Sequence, residues 1–185
     1  VHVVSTVVSS SVSDTNDPFQ ENRSSNSSIS DAQPASNPAL VVGYVNQAGQ
    51  GPQGATYDAG DPLDLYRVTL QAGQVVELNF GDATTADVDL YIGNEAGELL
   101  GQSIGVSRSE CVRIAESGTY LIQTEAYSGA SAYQLSWAPP RPGSACANST
   151  EATAAGARGF VAGELIAKPR PASQGRALAL ATLQG

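Results

Sequence analysis

Between residues 40 and 138 the chain is a succession of short apolar runs, each closed off within a few residues by Gly, Pro, Asn or Asp. This punctuation limits the fold more than any other feature. No segment keeps a helical repeat over three turns, whereas alternation over four to eight residues recurs, and that is the pattern of strands with one buried face. Leu40–Gln47 is the first such run. The next carries Leu63, Leu65, Val68 and Leu70, with its turn at Ala72-Gly73, and Val75–Phe80 follows. Asp87–Ile92 alternates acids with Val88, Leu90 and Ile92, and Asn94-Glu95-Ala96-Gly97 reads as a hairpin turn before Glu98–Gln102. Cys111–Ile114, Thr119–Glu125 and Ala132–Trp137 bring the total to about eight strands at a spacing of about ten residues, which suits a β-sandwich. The fold expected is all-β: a jelly-roll-like antiparallel β-sandwich with extended N- and C-terminal segments.

The flanks differ in character. Residues 1–39 form an arm. Val1–Val8 is rich in Val and Thr and strand-like, and Ser9–Pro38 is mostly Ser, Asn, Asp and Pro. Alone, that polar stretch buries too little surface to offset the entropy of ordering it. A neighbouring copy is the partner expected to hold it down. Residues 139–159 open with Pro139, Pro140, Arg141, Pro142 and Gly143 and read as a linker. Residues 160–185 form a tail that begins with a strand-like run, Phe160–Lys168.

Composition removes whole classes of function. The 185 residues are 41% hydrophobic, enough for a core, but only 15% charged, with a net charge of -9. Nine Lys and Arg against eighteen Asp and Glu supply no basic face for nucleic acid, and an anionic membrane surface is disfavoured on the same ground. No apolar run approaches the roughly 18–20 residues of a membrane span. The one histidine, His2, lies in the arm, so histidine-based triads and multi-histidine metal sites are not expected. Cys111 and Cys146 are the two cysteines. With few charges and much Ser, Gly and Thr they suggest secretion and a disulfide. The bridge would close a loop of roughly 36 residues, and the chain-entropy model gives it about 3–4 kcal/mol. The chain has no methionine and Val1 reads as a processed N-terminus. Sequons at Asn22, Asn26 and Asn148 are glycosylation candidates, all in arm or linker sequence.

A string of motifs runs through the central block: Gly60-Asp61-Pro62-Leu63-Asp64-Leu65-Tyr66-Arg67-Val68-Thr69-Leu70, then Ala72-Gly73-Gln74, Asp87-Val88-Asp89-Leu90-Tyr91, Gly118-Thr119-Tyr120-Leu121-Ile122 and Ala126–Leu135. In this order they resemble the bacterial pre-peptidase C-terminal domain family. The resemblance covers roughly residues 40–138. It implies a small jelly-roll-like sandwich that is auxiliary to secreted proteases, and it implies no activity of its own. Phe160-Val161-Ala162-Gly163-Glu164-Leu165-Ile166-Ala167-Lys168 is similar to the opening strand of the inhibitory prosegment in some secreted subtilisin-like proteases.

Three candidate sites stand against simpler readings. Gly101-Gln102-Ser103-Ile104-Gly105 matches the G-x-S-x-G string, but the chemistry needs a strand-to-helix turn and a histidine base, and neither is at hand. Asp87 and Asp89 are two apart and share a strand face, and Asp61 and Asp64 are their neighbours in motif order. Together these four acids are the candidate calcium ligands, since calcium takes six to eight oxygens. The alternative is that they accept hydrogen bonds from turn amides. No other cofactor is expected. Tyr66, Tyr91, Tyr120, Tyr127, Tyr133 and Trp137 are either a carbohydrate platform or core, and core or core edge is the expectation. Val1, Val3, Val4, Val7 and Val8 are the candidates for a strand donated to a neighbouring sandwich.

The function expected is that of a non-catalytic, secreted, bacterial β-sandwich that assembles with itself through its extended termini, as the subunit of an extracellular helical filament. An accessory segment of a subtilisin-like serine protease, partnered by its catalytic domain, and a glycan-binding module are the alternatives.

Overall fold

The computed structural model describes residues 10–81, 85–139 and 150–152. Among them are eleven strands and no helix. The eight strands expected from the sequence are all present: β3 (Ala39–Asn46), β4 (Leu63–Leu70), β5 (Val75–Phe80), β6 (Asp87–Gly93), β7 (Leu99–Ser103), β8 (Ser109–Ile114), β9 (Gly118–Ser128) and β10 (Ala130–Ala138). Three short strands join them: β1 (Ser10–Ser13), β2 (Gln33–Pro34) and β11 (Thr150–Ala152). They form two facing sheets, one ordered β1-β3-β10-β5-β8-β11 and the other β2-β4-β9-β6-β7. The fold is an all-β sandwich.

Alternation decides what each strand faces. Val41 and Val45 on β3, Val76, Leu78 and Phe80 on β5, Val112 and Ile114 on β8 and Tyr133, Leu135 and Trp137 on β10 all point inward. They meet Tyr66, Val68 and Leu70 of β4, Val88, Leu90 and Ile92 of β6 and Tyr120 and Ile122 of β9 from the opposite sheet. Each fully buried Leu, Ile or Val contributes about 1.5–3 kcal/mol. The second sheet is covered on its outer face too. Leu63, Leu65, Tyr91 and Leu121 form a smaller cluster there with Ala32, Ile29, Leu99 and Ile104. This is why β4, β6 and the middle of β9 (residues 120–124) are buried at nearly every position while β10 alternates.

Pairing within the central block is antiparallel throughout. The three added strands are parallel to their neighbours: β1 to β3, β2 to β4 and β11 to β8. The sheets are therefore mixed, and the departure from a purely antiparallel sandwich lies entirely at the edges.

The arm corrects one expectation. From Ser10 onward it lies on its own sandwich, so no neighbouring copy is needed to order it. It leaves the edge of the first sheet after β1, crosses to the edge of the second and joins it at β2. Its backbone is met along the way: Asp14 N donates to Val42 O, Leu65 N to Asn26 O and Ala35 N to Arg67 O. Arg67 Nη2 donates to Ile29 O at 2.9 Å and Trp137 Nε1 to Ser36 O at 2.8 Å. A polar segment is stable here because unpaired sheet edges supply partners that its own composition lacks. Likewise β11 falls inside the stretch read as linker, with Thr150 beside Val112. Val1–Val8 and Phe160–Lys168 lie outside the described residues.

The β9–β10 turn is made by Gly129 at φ 74°, where an added Cβ would run into the Thr85 carbonyl and approach the Ala86 Cα at 2.9 Å. Gly73 has φ 85° but nothing within 4 Å of such a Cβ. Gly129→Ala should thus destabilise the fold by about 3 kcal/mol or more, and Gly73→Ala by only about 1 kcal/mol, the cost of the left-handed backbone alone. Equilibrium urea unfolding of the two variants checks the contrast; equal effects would contradict it.

Candidate functional site

The crossing of the arm over the sandwich brings together acids that are far apart in sequence. Asp61 sits just before β4, tied to Asn46 by two backbone hydrogen bonds of 2.8 and 2.9 Å. Asp64 is on the inward face of β4, at 0% exposure, where Tyr133 Oη donates to its Oδ2 at 2.7 Å. The Tyr133 hydroxyl in turn lies 2.5 Å from that of Tyr66. The arm adds Asp14, Asn16, Asp17 and Asn26 from its own side. Asn16 Nδ2 donates to Asp61 Oδ1 at 2.9 Å, Asn26 Nδ2 donates to Asp14 Oδ1 at 2.8 Å, and Ser27 Oγ reaches Asp61 at 3.5 Å.

What remains is a set of buried oxygens that accept nothing: Asp14 Oδ2, Asn16 Oδ1, Asp17 Oδ1, Asn26 Oδ1, Asp61 Oδ2 and Asp64 Oδ1. Each such atom costs the desolvation of its lone pairs. Four carboxyl groups share this region, and the one ion pair among the described residues, Arg67–Glu95, lies elsewhere. Arg23 is the basic group that offsets Asp61, and its Nε is donated to Asn16 O at 2.9 Å.

Electrostatics follow from this crowding. Burial, and then the charge of Asp14, pushes Asp61 up from 3.8 to about 7. Burial and Asp14 raise Asp17 to about 6. Asp14 is raised by burial, and Asp64 is driven well above the carboxylate range by burial and by the charges of Asp14 and Asp61. Burial and Asp64 keep the Tyr66 and Tyr133 hydroxyls protonated, so they act as donors. Buried carboxyl groups of this kind must be neutralised by protons or shared with a cation.

The oxygens suit a cation. They are hard carboxylate and amide donors, with no nitrogen or sulfur among them, which favours calcium or magnesium over zinc or copper. Among the described residues no three His, Cys, Asp or Glu side chains form a metal cluster by themselves. The set reaches six, the lower end of calcium coordination, only with the Asn16 and Asn26 carbonyls counted. Catalysis fits less well, because Asp64 is wholly buried beneath the arm and out of reach of a substrate.

The sequence-derived candidates fare unequally. Asp61 and Asp64 are brought together. Asp87 and Asp89 do share a face, but it is the outer face of the second sheet. Val88 and Leu90 occupy the inner face on which Asp64 lies, and β9 separates β6 from β4. Asp14, Asn16 and Asp17 were not foreseen as ligands, although Asp14-Thr15-Asn16-Asp17, four oxygen-bearing side chains in a row, was there to be read. Asn26 is 0% exposed with its amide committed to Asp14, which removes it as a glycan acceptor on the folded chain, whereas Asn22 is exposed. Asn148 lies outside the described residues. Tyr66, Tyr91, Tyr120, Tyr133 and Trp137 are buried and Tyr127 is half-buried, so they form no platform for sugars. Ser103 of the G-x-S-x-G string is on an edge strand and donates its hydroxyl to Glu110. Cys111 is half-buried on β8, one residue from the Val112 that pairs with Thr150, and Cys146 lies outside the described residues.

No protein-family model matches the chain, and no curated protein matches it in sequence. Among solved structures it is similar to the pre-peptidase C-terminal domain of collagenase from Bacillus anthracis, with a TM-score of 0.43 and 14% identity over 58% of this chain and 94% of that one. It is also similar to Aeromonas hydrophila PliG, a periplasmic inhibitor of g-type lysozyme, with a TM-score of 0.32 and 17% identity over 58% of this chain and 99% of that one. The first is a domain of the family that the sequence motifs resemble.

The raised carboxyl groups reverse the usual pH dependence. Without a cation, the folded state keeps protons on Asp61 and Asp17 that the unfolded state, with carboxyls near 3.8, has released. Their contribution is present at low pH and is lost as pH rises from about 4 to about 7. Thermal unfolding in a chelator across that window should show it, with Asp61→Asn flattening the slope; an unchanged slope in that variant would contradict the assignment.

Proposed function

We propose that this chain is a non-catalytic extracellular β-sandwich module that binds calcium between its arm and its sandwich and associates with further copies through its termini as the subunit of a fibre. The six buried, unpartnered oxygens contributed jointly by the arm and by Asp61 and Asp64 carry this reading. A divalent cation there would replace missing partners and offset two of the four acidic charges, protons or Arg23 offsetting others. It would be held by Asp14, Asn16, Asp17, Asn26, Asp61 and Asp64. Extracellular calcium, at about the millimolar level at which extracellular modules bind it, is the ion that fits.

An oxidising location outside the cytosol is supported by the cysteines. No free cysteine occurs among the described residues, and the β8–β11 register draws the chain following Cys146 back to within one residue of Cys111. A bridge between the two would tether β11 to the sheet. Self-association is supported by the valine-rich, strand-like sequence of Val1–Val8.

Titration of calcium into chelator-stripped protein, followed by calorimetry and thermal unfolding, tests the cation. At a hundredfold excess over the dissociation constant the stabilisation is about 2.7 kcal/mol, or roughly 5–10 °C in Tm for a domain of this size. The paired variant Asp14→Asn/Asp61→Asn should lose the shift, and calcium should protect the arm from proteolysis within residues 17–31. No heat and no shift with calcium would overturn the reading.

A further inference from the structure

We propose that residues Val1–Val8 of one copy add as a strand to the edge of β7 that no described strand pairs, in the next copy, so that assembly runs head to tail. This rests on the self-association reading above and specifies its donor and its acceptor.

The donor leaves from one side of the sandwich. β1 runs parallel to β3, and its first residue, Ser10, pairs with Ala39, the first residue of β3. The preceding segment therefore starts where β3 offers no further partner. Its sequence, Val-His-Val-Val-Ser-Thr-Val-Val, puts Val1, Val3 and Val7 on one face of a strand and Val4 and Val8 on the other. β-branched residues on both faces suit a strand covered on both sides.

The acceptor is chosen by how the edges are guarded. Natural sheets blunt their edges with charge, Pro or brevity. β2 is two residues long and contains Pro34; β11 is three residues with Glu151 at its centre; β1 is a four-residue Ser-rich strand already serving as the lead-in. β7 lacks charge and Pro and is longer than these three, its one irregularity being a register shift against β6 where Leu100 is skipped. It is Leu-Leu-Gly-Gln-Ser, five residues with neither charge nor Pro. β6 pairs with one of its sides, and no described residue pairs with the other. Ile104 follows it, and then Val106 at 70% exposure, one of three large apolar side chains that are exposed among the described residues. An uncharged edge with an apolar border is what a valine-rich strand recognises.

Geometry makes the contact intermolecular. β1 is the first strand of its sheet, and β7 packs across β8 and β11 at the far end. Five strand intervals separate β1 from β11, about 24 Å. Nine extended residues span about 30 Å, so a segment reaching its own β7 would spend most of its length on the crossing. A second copy avoids this. Donor and acceptor then lie on opposite sides of each subunit, so the interface is heterologous and repeats without closing, giving a filament.

The test uses the full chain with calcium, examined by negative-stain microscopy and sedimentation velocity. Wild type should form filaments or a ladder of oligomers. Deletion of residues 1–8 and the edge variant Leu99→Lys/Ile104→Lys should each lose every species above monomer. An equimolar mixture of the two should give a 1:1 dimer and nothing longer, since one supplies only the acceptor and the other only the donor. Cooperative melting and the near-ultraviolet dichroism of Trp137 verify that both variants are folded. Filaments from the deletion variant, or a mixture of folded variants that stays monomeric, would overturn the proposal while leaving self-association standing. Wild type that stays monomeric at all concentrations would sink both.

Discussion

Everything distinctive about this molecule depends on burying four carboxyl groups where a polar arm crosses the open side of a sandwich. Asp61 and Asp64 belong to the sandwich and Asp14 and Asp17 to the arm, and Arg23 offsets Asp61 with positive charge. Burying like charges together is unfavourable unless protons or a cation intervene. The arm accepts that cost because its hydrogen bonds are made there, to Val42, Leu65, Arg67 and Trp137. The arm has little apolar surface of its own, Val12, Ile29, Ala32 and Ala35 being its share of the two clusters.

The sandwich was legible in the sequence because its strands announce themselves locally. Ser131–Trp137 alternates with one buried face, Val88-Asp89-Leu90 alternates apolar and acidic residues between two covered faces, and Asn94-Glu95-Ala96-Gly97 folds as read, with Gly97 at φ 81° and Asn94 Oδ1 accepting from the amides of Ala96 and Glu98. β1, β2 and β11 were not legible. They exist because β3, β4 and β8 present edges, and a Ser-Ser-Val-Ser or Gln-Pro segment carries no mark of that in its own composition. Reading the arm as disordered followed correctly from its local energetics and failed on a tertiary one.

The candidate site was half legible for a related reason. Asp87 and Asp89 were picked out by spacing and Asp61 and Asp64 as their neighbours in motif order, but the pleat sends Asp87 and Asp89 to the face opposite Asp64. Asp14, Asn16 and Asp17 were hidden by being read as tail. Their proximity to Asp61 is a contact across 45 residues for Asn16, which no local rule could supply. The same limit applies to β7: its lack of charge is visible in the sequence, but its place at the end of a sheet is not.

The division of the site between two parts of the chain has a consequence of its own. A cation that needs oxygens from both Asp14–Asn26 and Asp61–Asp64 binds only the docked arrangement, so docking of the arm and binding of the ion are one linked equilibrium. Protons compete for the same oxygens and stabilise the same docked arrangement through Asp61 and Asp17, but only below about pH 7. Above that pH Asp61 and Asp17 are ionised, and a bound cation would offset their charge. β1 is continuous with the arm, and Asp14 follows it directly. In the proposed assembly, a cation at the arm's crossing would therefore be linked through β1 to the contact proposed for the next subunit, without any change in the sandwich itself.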